Sequence, residues 1–467
     1  MWSVEKIAQW VQGQVYRPDP AKKITGFSID SRTIKRGEFF VAVRGAQTDG
    51  YFFLEDAFQR GASGALVEQL PEETRGLCTN LIQVQDSRRA LQSLASSYRT
   101  CLNIPVIAVT GSSGKTTTKE LIYAILAKHF RAYRSPGNFN TEIGLPLALL
   151  SMPPSAEVGI FELGLQHPGD IEALCKILTP TIGVITSIGE AHLEYFAGLD
   201  ALANEKWQLA EFIAAHGAAL FLNVDSTPLS ERAKKIGLSR SAQLLGFGIQ
   251  DDAAALRAEN IEDVTLAGLR FEICTPDKKI PIQSRLLGRA NAYAILAAAG
   301  TALYLDVPEE VIQRAVREFE PVQHRMELKE SKRFGWVIDD SYNANPSSTR
   351  EAIRALSRFE TPLQKILIIG DMLELGDSAM ELHRALADEV KKRDIKLLFT
   401  FGDSAAGLSR VLAAKRDWSS KRAIHCTSQE ELFKRLENLL TNHQNLILVK
   451  GSRGMQLDQL VERLVES

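Results

Sequence analysis

Residues 110–118 read Thr-Gly-Ser-Ser-Gly-Lys-Thr-Thr-Thr. They follow a short apolar run, Ile-Pro-Val-Ile-Ala-Val at 104–109, and precede a stretch, 119–126, in which apolar residues recur at helical spacing. The pattern predicts a strand, a glycine-containing turn and a helix in succession. Such a turn directs backbone N–H groups and the positive end of the helix towards an anion. The stretch therefore predicts a loop that holds the phosphates of a nucleotide.

The loop is a shorter form of the usual phosphate-binding motif, because Val109 stands five positions before Gly114, where that motif has a glycine. In this geometry Lys115 reaches the terminal phosphates and the Thr116 hydroxyl ligates Mg²⁺. Glycine and serine also form ordinary helix-capping turns, but the flanking strand and helix favour phosphate binding. The predicted ATP-binding residues of the loop are Thr110, Gly111, Ser112, Ser113, Gly114, Lys115, Thr116 and Thr117.

Length and composition limit the class of protein. At 467 residues the chain is too long for one hydrophobic core. Because a domain usually has about 150 residues, this length suggests three domains. The net charge of −2 provides no overall field that favours nucleic acid or an anionic membrane. The five cysteines are scattered without a Cys-x-x-Cys pair, so neither a zinc site nor a disulfide framework is indicated. No run of apolar residues is long enough to span a membrane, and the scattered cysteines fit a reducing compartment. We therefore expect a cytoplasmic protein with no nucleic-acid or membrane partner. We also expect a monomer.

Alternation of apolar strands with helical stretches predicts an α/β protein of three domains. Residues 1–101 form a small mixed α/β domain and residues 102–322 a central parallel-sheet, P-loop ATPase-like domain. Residues 323–467 form a Rossmann-like, doubly wound domain. Segment 240–285, with its short alternating runs, is predicted to add antiparallel strands to the central sheet.

Polar clusters follow four predicted strands of the last domain, which span residues 336–339, 365–369, 396–400 and 446–449. The clusters lie at 339–345, 370–374, 402–403 and 450–453. Ligands of a doubly wound sheet bind at the carboxyl ends of its strands. Capping alone makes many such loops polar, but we expect these four clusters to meet at one functional edge.

Three central residues are candidates for the chemistry. Glu162 ends a predicted strand, and its carboxylate with the Thr116 hydroxyl would give Mg²⁺ a partial shell of hard oxygen ligands. His192 follows a second strand end, and Lys206 lies on the next helix. Taken alone, Glu162 has the less favoured alternative of an exposed strand end, and His192 and Lys206 are more often solvated or structural residues.

Together these motifs resemble the Mur ligase family of ATP-dependent amide-forming enzymes. The resemblance rests on 110–118, on Gly-Asn-Phe-Asn-Thr-Glu-Ile-Gly-Leu-Pro at 137–146, on Glu-Leu-Gly at 162–164 and on Ile-Gly-Glu-Ala-His at 188–192. The C-terminal motifs at 339–348, 370–376 and 449–455 resemble the family member that joins D-alanyl-D-alanine to UDP-N-acetylmuramoyl-tripeptide. The family histidine and second asparagine are absent from residues 288–294, Gly-Arg-Ala-Asn-Ala-Tyr-Ala.

The resemblance implies a role for each matching residue. Its catalytic residues would be Lys115, Glu162, His192, Lys206 and Arg325. ATP would also contact Asn291, Arg325 and Asp340. Two Mg²⁺ ions would be held by Thr116, Glu162, His192 and Lys206, the lysine as a carbamate. The UDP-sugar would meet Ser31, Arg32, Arg44, Gly45, Asp49, Asn138, Asn140 and Thr141, and the dipeptide Asn343, Asn345, Lys450 and Arg453.

The implied reaction transfers the γ-phosphoryl group to a carboxylate, and the resulting acyl phosphate is attacked by the amine of the dipeptide. Two alternatives remain open at this point. A related ligase could use another acceptor, as in folylpolyglutamate-type or diamino-acid-adding enzymes. A nucleotide-dependent switch protein would hydrolyse ATP without a second substrate, although it would not need a sugar-nucleotide site.

Overall fold

The computed structural model describes residues 2–45, 48–71, 78–216, 219–235, 243–415, 418 and 421–467. Its contacts divide the chain into two compact units. Unit one comprises residues 1–108, 130–165 and 169–182, and unit two comprises 109–129, 166–168 and 183–467. These units do not test the domain boundaries expected at 101/102 and 322/323, which stay a prediction.

The first sheet lies in unit one and has five strands in the order β1-β5-β4-β3-β2. Strands β2 to β5 pair in parallel, and β1 pairs with β5 in the antiparallel direction. Its elements are α1 (Val4–Val11), β1 (Gln14–Tyr16), β2 (Gly26–Ser28), β3 (Glu38–Val41), α2 (Leu54–Gln59), β4 (Gly64–Val67), β5 (Leu81–Gln83) and α3 (Ser87–Thr100). Phe40, Ala57 and Ala65 are fully buried in the core between this sheet and α2.

The second sheet has nine strands in the order β14-β13-β12-β11-β10-β9-β6-β8-β7. Its strands are β6 (Val106–Thr110), β7 (Ala132–Arg134), β8 (Val158–Glu162), β9 (Ile182–Ile185), β10 (Ala219–Asn223), β11 (Gln243–Gly248), β12 (Leu256–Glu262), β13 (Leu269–Cys274) and β14 (Lys279–Ser284). Its helices are α4 (Lys115–Leu126), α5 (Gly144–Leu150), α6 (Asp170–Leu178), α7 (Leu199–His216), α8 (Thr227–Ala233), α9 (Ala290–Tyr304) and α10 (Glu309–Glu318).

The prediction for segment 240–285 is partly wrong. Strand β11 runs parallel to β10, and β12 runs parallel to β11. Only the pairs β12–β13 and β13–β14 are antiparallel. The sequence pattern of a strand indicates which side chains are buried but not the direction in which its neighbour runs. Residues 240–242 of the predicted segment lie outside the described residues.

The third sheet lies in unit two and has the order β15-β16-β20-β17-β18-β19. All its pairs are parallel except the edge pair β15–β16. Its elements are β15 (Glu327–Ser331), β16 (Gly335–Asp340), α11 (Pro346–Arg358), β17 (Gln364–Gly370), α12 (Ala379–Lys391), β18 (Leu397–Phe401), α13 (Ala406–Ala413), β19 (Ala423–Cys426), α14 (Gln429–Leu439), β20 (Asn445–Lys450) and α15 (Leu457–Glu466).

Helices cover both faces of this third sheet. Alternate side chains of β17 point to opposite faces, so that Leu367 joins one core with α11 to α13 while Ile366 and Ile368 join another with α14 and α15. Two buried faces explain why its strands read as continuous apolar runs. The doubly wound arrangement predicted for this part of the chain is confirmed.

Within the described part of the chain, none of the helices is both long and apolar enough to cross a lipid bilayer.

Candidate functional site

The loop at 110–118 joins β6 to α4, as predicted. Gly114 is the N-cap of α4 with φ of 83°, and Gly111 has φ of 148°. Both values lie where glycine is favoured because it has no Cβ. The Lys115 ammonium donates to the Gly111 carbonyl oxygen at 2.8 Å, so the lysine lies across the loop. The arrangement gives the loop a helix N-terminus and a cation, the two features that attract phosphate.

The segment that follows β9 fixes the shape of the loop. The backbone N–H of Ser112 donates to the Ser187 carbonyl oxygen at 2.8 Å, and that of Ser113 donates to the Ser187 hydroxyl at 3.2 Å. The Thr186 hydroxyl donates to the Ser113 carbonyl oxygen at 2.5 Å. These bonds hold the loop in one conformation before any ligand binds.

Substitution of Gly111 tests this packing. A Cβ at Gly111 would overlap the Thr186 Oγ1 atom, and the φ of 148° disfavours any side chain. We expect Gly111→Ala to lower the free energy of unfolding by about 1–3 kcal/mol, measured by denaturant titration. Gly26→Ala is the control, because its added Cβ would meet nothing closer than 3.6 Å. Equal stability of the two variants would contradict this account.

Asn345, the N-cap of α11, lies against the same loop, and Arg350 of α11 binds Glu190 in the segment that follows β9. The Asn345 side-chain amide donates to the Ser112 carbonyl oxygen at 3.4 Å and to the Ser113 hydroxyl at 3.3 Å. Its Oδ1 accepts the Ser348 N–H at 2.8 Å and so caps α11. The Glu190 carboxylate accepts both terminal nitrogens of Arg350, at 3.1 and 3.0 Å. Asn345, predicted as a dipeptide ligand, thus contacts the phosphate loop.

His192 and Glu374 form a second group within unit two. The His192 Nδ1 atom is buried and lies 2.6 Å from a Glu374 carboxylate oxygen, although the pair lacks hydrogen-bond geometry. His192 lowers the pKa of the Glu374 carboxyl, against the effect of burial. Both residues have positive φ, at 55° and 62°. This uncommon backbone for non-glycine residues brings an imidazole and a carboxylate together.

Lys206 lies in the middle of α7 and is 1% exposed, and its neighbour Glu205 is also buried. Lysine is almost never buried to this degree without partners. Its burial excludes the alternative that Lys206 is an ordinary solvated helix residue, and its role at a metal stays a prediction.

The four polar clusters of the third sheet meet at one edge, as predicted. Lys450 Nζ donates to Asp340 Oδ2 at 2.6 Å. The Ser452 N–H donates to the Asp371 carbonyl oxygen at 3.0 Å, and the Asp371 carboxylate accepts the Ala405 N–H at 2.7 Å. Lys450 and Asp340 are buried and neutralise each other. Asn343 joins them, because its carbonyl oxygen accepts a second Lys450 hydrogen bond at 3.1 Å.

Arg325 and Arg453 lie near the same ring. The Cζ atom of Arg325 is 4.0 Å from the centroid of the Tyr342 ring, and that of Arg453 is 5.9 Å from it. Arg453 is exposed and pairs with Asp458 at 2.9 Å. At the start of α9, Asn291 donates its side-chain amide to the Leu287 carbonyl oxygen at 2.8 Å, which fixes the orientation of that amide.

The predicted sugar-nucleotide residues all belong to unit one. Arg32 is largely exposed and forms two hydrogen bonds to Asp30, at 2.9 and 2.8 Å, which lower the pKa of that carboxyl to about 2. Arg44 and Asp49 form a β-bridge, and the Gly45 N–H donates to the Thr48 carbonyl oxygen. Ser31 is buried.

A second part of unit one holds the other predicted sugar-nucleotide residues. The Asn140 side chain donates to Glu162 Oε1 at 2.9 Å, and its backbone N–H donates to the Asn138 carbonyl oxygen at 2.8 Å. The Thr141 hydroxyl accepts the Gly144 N–H at 3.3 Å and caps α5. The structure thus brings Asn140 to the carboxylate that was predicted as a metal ligand.

Known proteins match the chain from end to end. Residues 23–99 match the catalytic domain of the Mur ligase family, residues 109–302 the Mur ligase middle domain, and residues 324–453 the Mur ligase glutamate ligase domain. The UDP-N-acetylmuramoyl-tripeptide–D-alanyl-D-alanine ligase of Bacillus subtilis is 30% identical over 472 positions, which cover 100% of this chain and 98% of the relative. The chain belongs to the Mur ligase family. The predicted family and the prediction of an ATP-dependent ligase are confirmed.

Solved Mur ligases have the same fold. MurF from Acinetobacter baumannii is 27% identical with a TM-score of 0.88, covering 100% of this chain and 99% of that one. MurF from Thermotoga maritima, in complex with ADP, is 25% identical with a TM-score of 0.80, covering 95% and 97%. These similarities confirm the predicted α/β fold class.

Several residues of this Mur ligase site were not singled out from the sequence. Thr186 and Ser187 shape the phosphate loop, Glu374 faces His192, and Tyr342 lies against both arginines. Thr186 and Ser187 directly follow β9, a position that could have drawn attention to them, and Tyr342 and Glu374 lie within the polar clusters predicted at 339–345 and 370–374. Their partners come from distant parts of the sequence and left no local signal.

Proposed function

We propose that this Mur ligase adds D-alanyl-D-alanine to UDP-N-acetylmuramoyl-tripeptide with consumption of ATP, giving UDP-N-acetylmuramoyl-pentapeptide for peptidoglycan synthesis. The observation that carries the proposal is the end-to-end 30% identity to the Bacillus subtilis ligase that bears this name. The solved UDP-N-acetylmuramoylalanyl-D-glutamyl-2,6-diaminopimelate–D-alanyl-D-alanyl ligase of Acinetobacter baumannii, 26% identical and covering 100% of this chain and 98% of that one, supports the proposal.

We propose that ATP binds at the phosphate loop, in line with the ADP complex of the Thermotoga relative. Lys115 and the N-terminus of α4 would contact the β- and γ-phosphates, and Arg325 would reach the γ-phosphate. Asn291 is the proposed adenine contact and Asp340 the proposed ribose contact. Because Lys450 neutralises Asp340 at 2.6 Å, the ribose hydroxyls would meet an ion pair rather than a lone carboxylate.

The residues of the proposed metal site have suitable chemistry for Mg²⁺. The His192 imidazole lies 2.6 Å from the Glu374 carboxylate, so this corner brings a nitrogen ligand and an anionic oxygen together. Lys206 would have to be a carbamate to take part, because an ammonium group cannot ligate a cation while a carbamate offers two anionic oxygens. We propose Thr116, Glu162, His192 and carbamylated Lys206 as the holders of two ions, which would offset phosphate charge during transfer.

The proposed reaction proceeds through an acyl phosphate, and residues of the chain itself would assist it. A carboxylate reacts poorly with an amine because its oxygen is a poor leaving group. Transfer of the γ-phosphoryl group to that oxygen makes phosphate the leaving group, and the dipeptide amine displaces it to form the amide. Lys115 and Arg325 would stabilise the charge on the transferring group. Positioning of the amine against the acyl phosphate would provide much of the remaining acceleration.

The other substrates have proposed sites in the N-terminal and C-terminal parts of the chain. UDP-sugar contacts are proposed for residues 1–101 and for the loop at 138–141, ATP for residues 102–322, and the dipeptide together with part of ATP for residues 323–467. For the dipeptide carboxylate we favour Arg453, since it is exposed, over Lys450, which is buried against Asp340. Asn343 and Asn345 remain candidate contacts to the dipeptide backbone.

An assay of ATP consumption tests the function. We expect phosphate release only when UDP-N-acetylmuramoyl-tripeptide and D-alanyl-D-alanine are both present, with formation of the pentapeptide seen by mass spectrometry. Release without either substrate would identify an ATP-hydrolysing switch. Turnover with glutamate and a folate, or with a diamino acid and a shorter muramoyl peptide, would identify a related ligase instead.

A further inference from the structure

Arginines from two separate turns contact the Tyr342 ring. Arg325 comes from the segment before β15 and Arg453 from the turn after β20, with Cζ–centroid distances of 4.0 and 5.9 Å. Both distances are within the range of about 6 Å at which a guanidinium group interacts with an aromatic face. The Tyr342 N–H also donates to the His324 carbonyl oxygen at 3.3 Å, next to Arg325.

Contact with a ring leaves a guanidinium group able to bind anions. The five N–H donors of arginine lie in the plane of the group, whereas stacking uses its face. Arg325 has no carboxylate partner among the residues that the structure describes, and Arg453 directs one nitrogen to Asp458. The electron-rich ring attracts each of the two cations. The two side chains therefore keep donors for incoming anions.

The backbone that carries Arg325 is fixed independently of the ring. The His324 Nδ1 atom lies 2.7 Å from the Asp339 carboxylate, which also accepts from Lys329 at 2.8 Å. Asp339 is fully buried. Burial would raise the pKa of its carboxyl, but its hydrogen bonds to Lys329, Ser341 and His324 outweigh that effect and lower it. With the backbone held, the ring governs where the Arg325 guanidinium points.

His324, Glu327 and Asp339 bring three potential metal ligands together, with ligand atoms within 4.8 Å of one another. The ammonium of Lys329 lies 3.1 Å from Glu327 and 2.8 Å from Asp339, so a cation of the chain itself already balances their charge. We therefore assign the group to anchoring the Arg325 backbone.

We propose that Tyr342 is a positioning residue that orients both Arg325 and Arg453, one for the transferring phosphate and the other for the carboxylate of the incoming dipeptide. This inference rests on the proposed function. The ring would act through the two arginines and would not touch the reacting atoms. The ring would couple the site of the phosphate to the site of the dipeptide. Because both guanidinium groups contact the same ring, a shift of the ring caused by one group would also change the position of the other.

Substitution of the ring tests the proposal in the full-length protein with all three substrates. We expect Tyr342→Leu to lower kcat by about 2- to 30-fold, the equivalent of one cation–ring contact, and to raise KM for D-alanyl-D-alanine. Tyr342→Phe keeps the ring and is expected to stay within about twofold of the wild type. Tyr304→Leu, at the distant end of α9, controls for the loss of a tyrosine that has an edge contact with Phe221.

Repeating the substitution in an Arg453→Ala protein distinguishes a positioning role of the ring from a general loss of structure. If the ring acts through Arg453, Tyr342→Leu should change KM for the dipeptide less in an Arg453→Ala protein than in the wild type. An undiminished change there, equal loss in Tyr342→Phe and Tyr342→Leu, or unchanged kcat and KM in Tyr342→Leu would each overturn the proposal. Wild-type protein without dipeptide-dependent turnover would refute the proposed function itself, and the role of Tyr342 with it.

Discussion

Replacing Lys115 with alanine should reduce ligation by about 10³-fold or more while leaving the protein folded. The reason is electrostatic: Lys115 begins α4 and its ammonium lies 2.8 Å from the Gly111 carbonyl oxygen, at the loop proposed to hold the phosphates. A cation on the transferring phosphoryl group contributes about 10³–10⁵ in rate in other phosphoryl-transfer enzymes. The measurement is phosphate release under saturating substrates, with the unfolding midpoint recorded for the same preparation.

Lys128 provides a matched control for this substitution. It lies two residues beyond the end of α4 and pairs with Glu318 at 2.6 Å, outside the loop. Lys128→Ala should stay within about twofold of wild-type turnover, because partly exposed ion pairs contribute little. Turnover of Lys115→Ala that stays within a few-fold of the wild type would remove the loop from the reaction.

Much of the C-terminal architecture could be predicted because its strands are buried on both faces. The runs predicted at 336–339, 365–369, 396–400 and 446–449 lie within one residue of β16, β17, β18 and β20. Strand β15 was not predicted, because Glu-Leu-Lys-Glu-Ser at an antiparallel edge has no apolar run. The four-residue strand β19 was too short to stand out. Burial thus leaves a sequence signal that edge strands lack.

Some features of the candidate site could be predicted from the sequence, and others could not. The phosphate loop could be predicted because its function depends on residues adjacent in sequence, and the polar edge because parallel strands end together. The particular partners could not be predicted. Asn345 contacts Ser113 across 232 positions, and Lys450 pairs with Asp340 across 110. Such contacts depend on packing between elements, for which a single sequence carries no periodic signal.

The second large effect is expected at Lys206. Its burial at 1% exposure inside α7 calls for a role that an ordinary surface lysine does not have. If Lys206 is a carbamate that helps to hold Mg²⁺, Lys206→Ala should lower turnover by about 10²-fold or more, comparable with the loss of other groups that orient metal ions or transition-state charge. Lys234→Ala, on the exposed C-cap of α8, should leave turnover unchanged.

Added small molecules then identify which form of Lys206 acts. A short carboxylic acid such as acetate or propionate can enter the space left by the alanine and return two anionic oxygens, so it should restore part of the turnover. Rescue by a small alkylamine instead would show that the ammonium acts, as a partner of buried acidic groups. Mass spectrometry under non-acidic conditions provides a readout apart from activity, since a carbamate adds the mass of one carbon dioxide to the wild type and not to Lys206→Ala. Full turnover of Lys206→Ala would contradict both roles and leave Lys206 as a packing residue of α7.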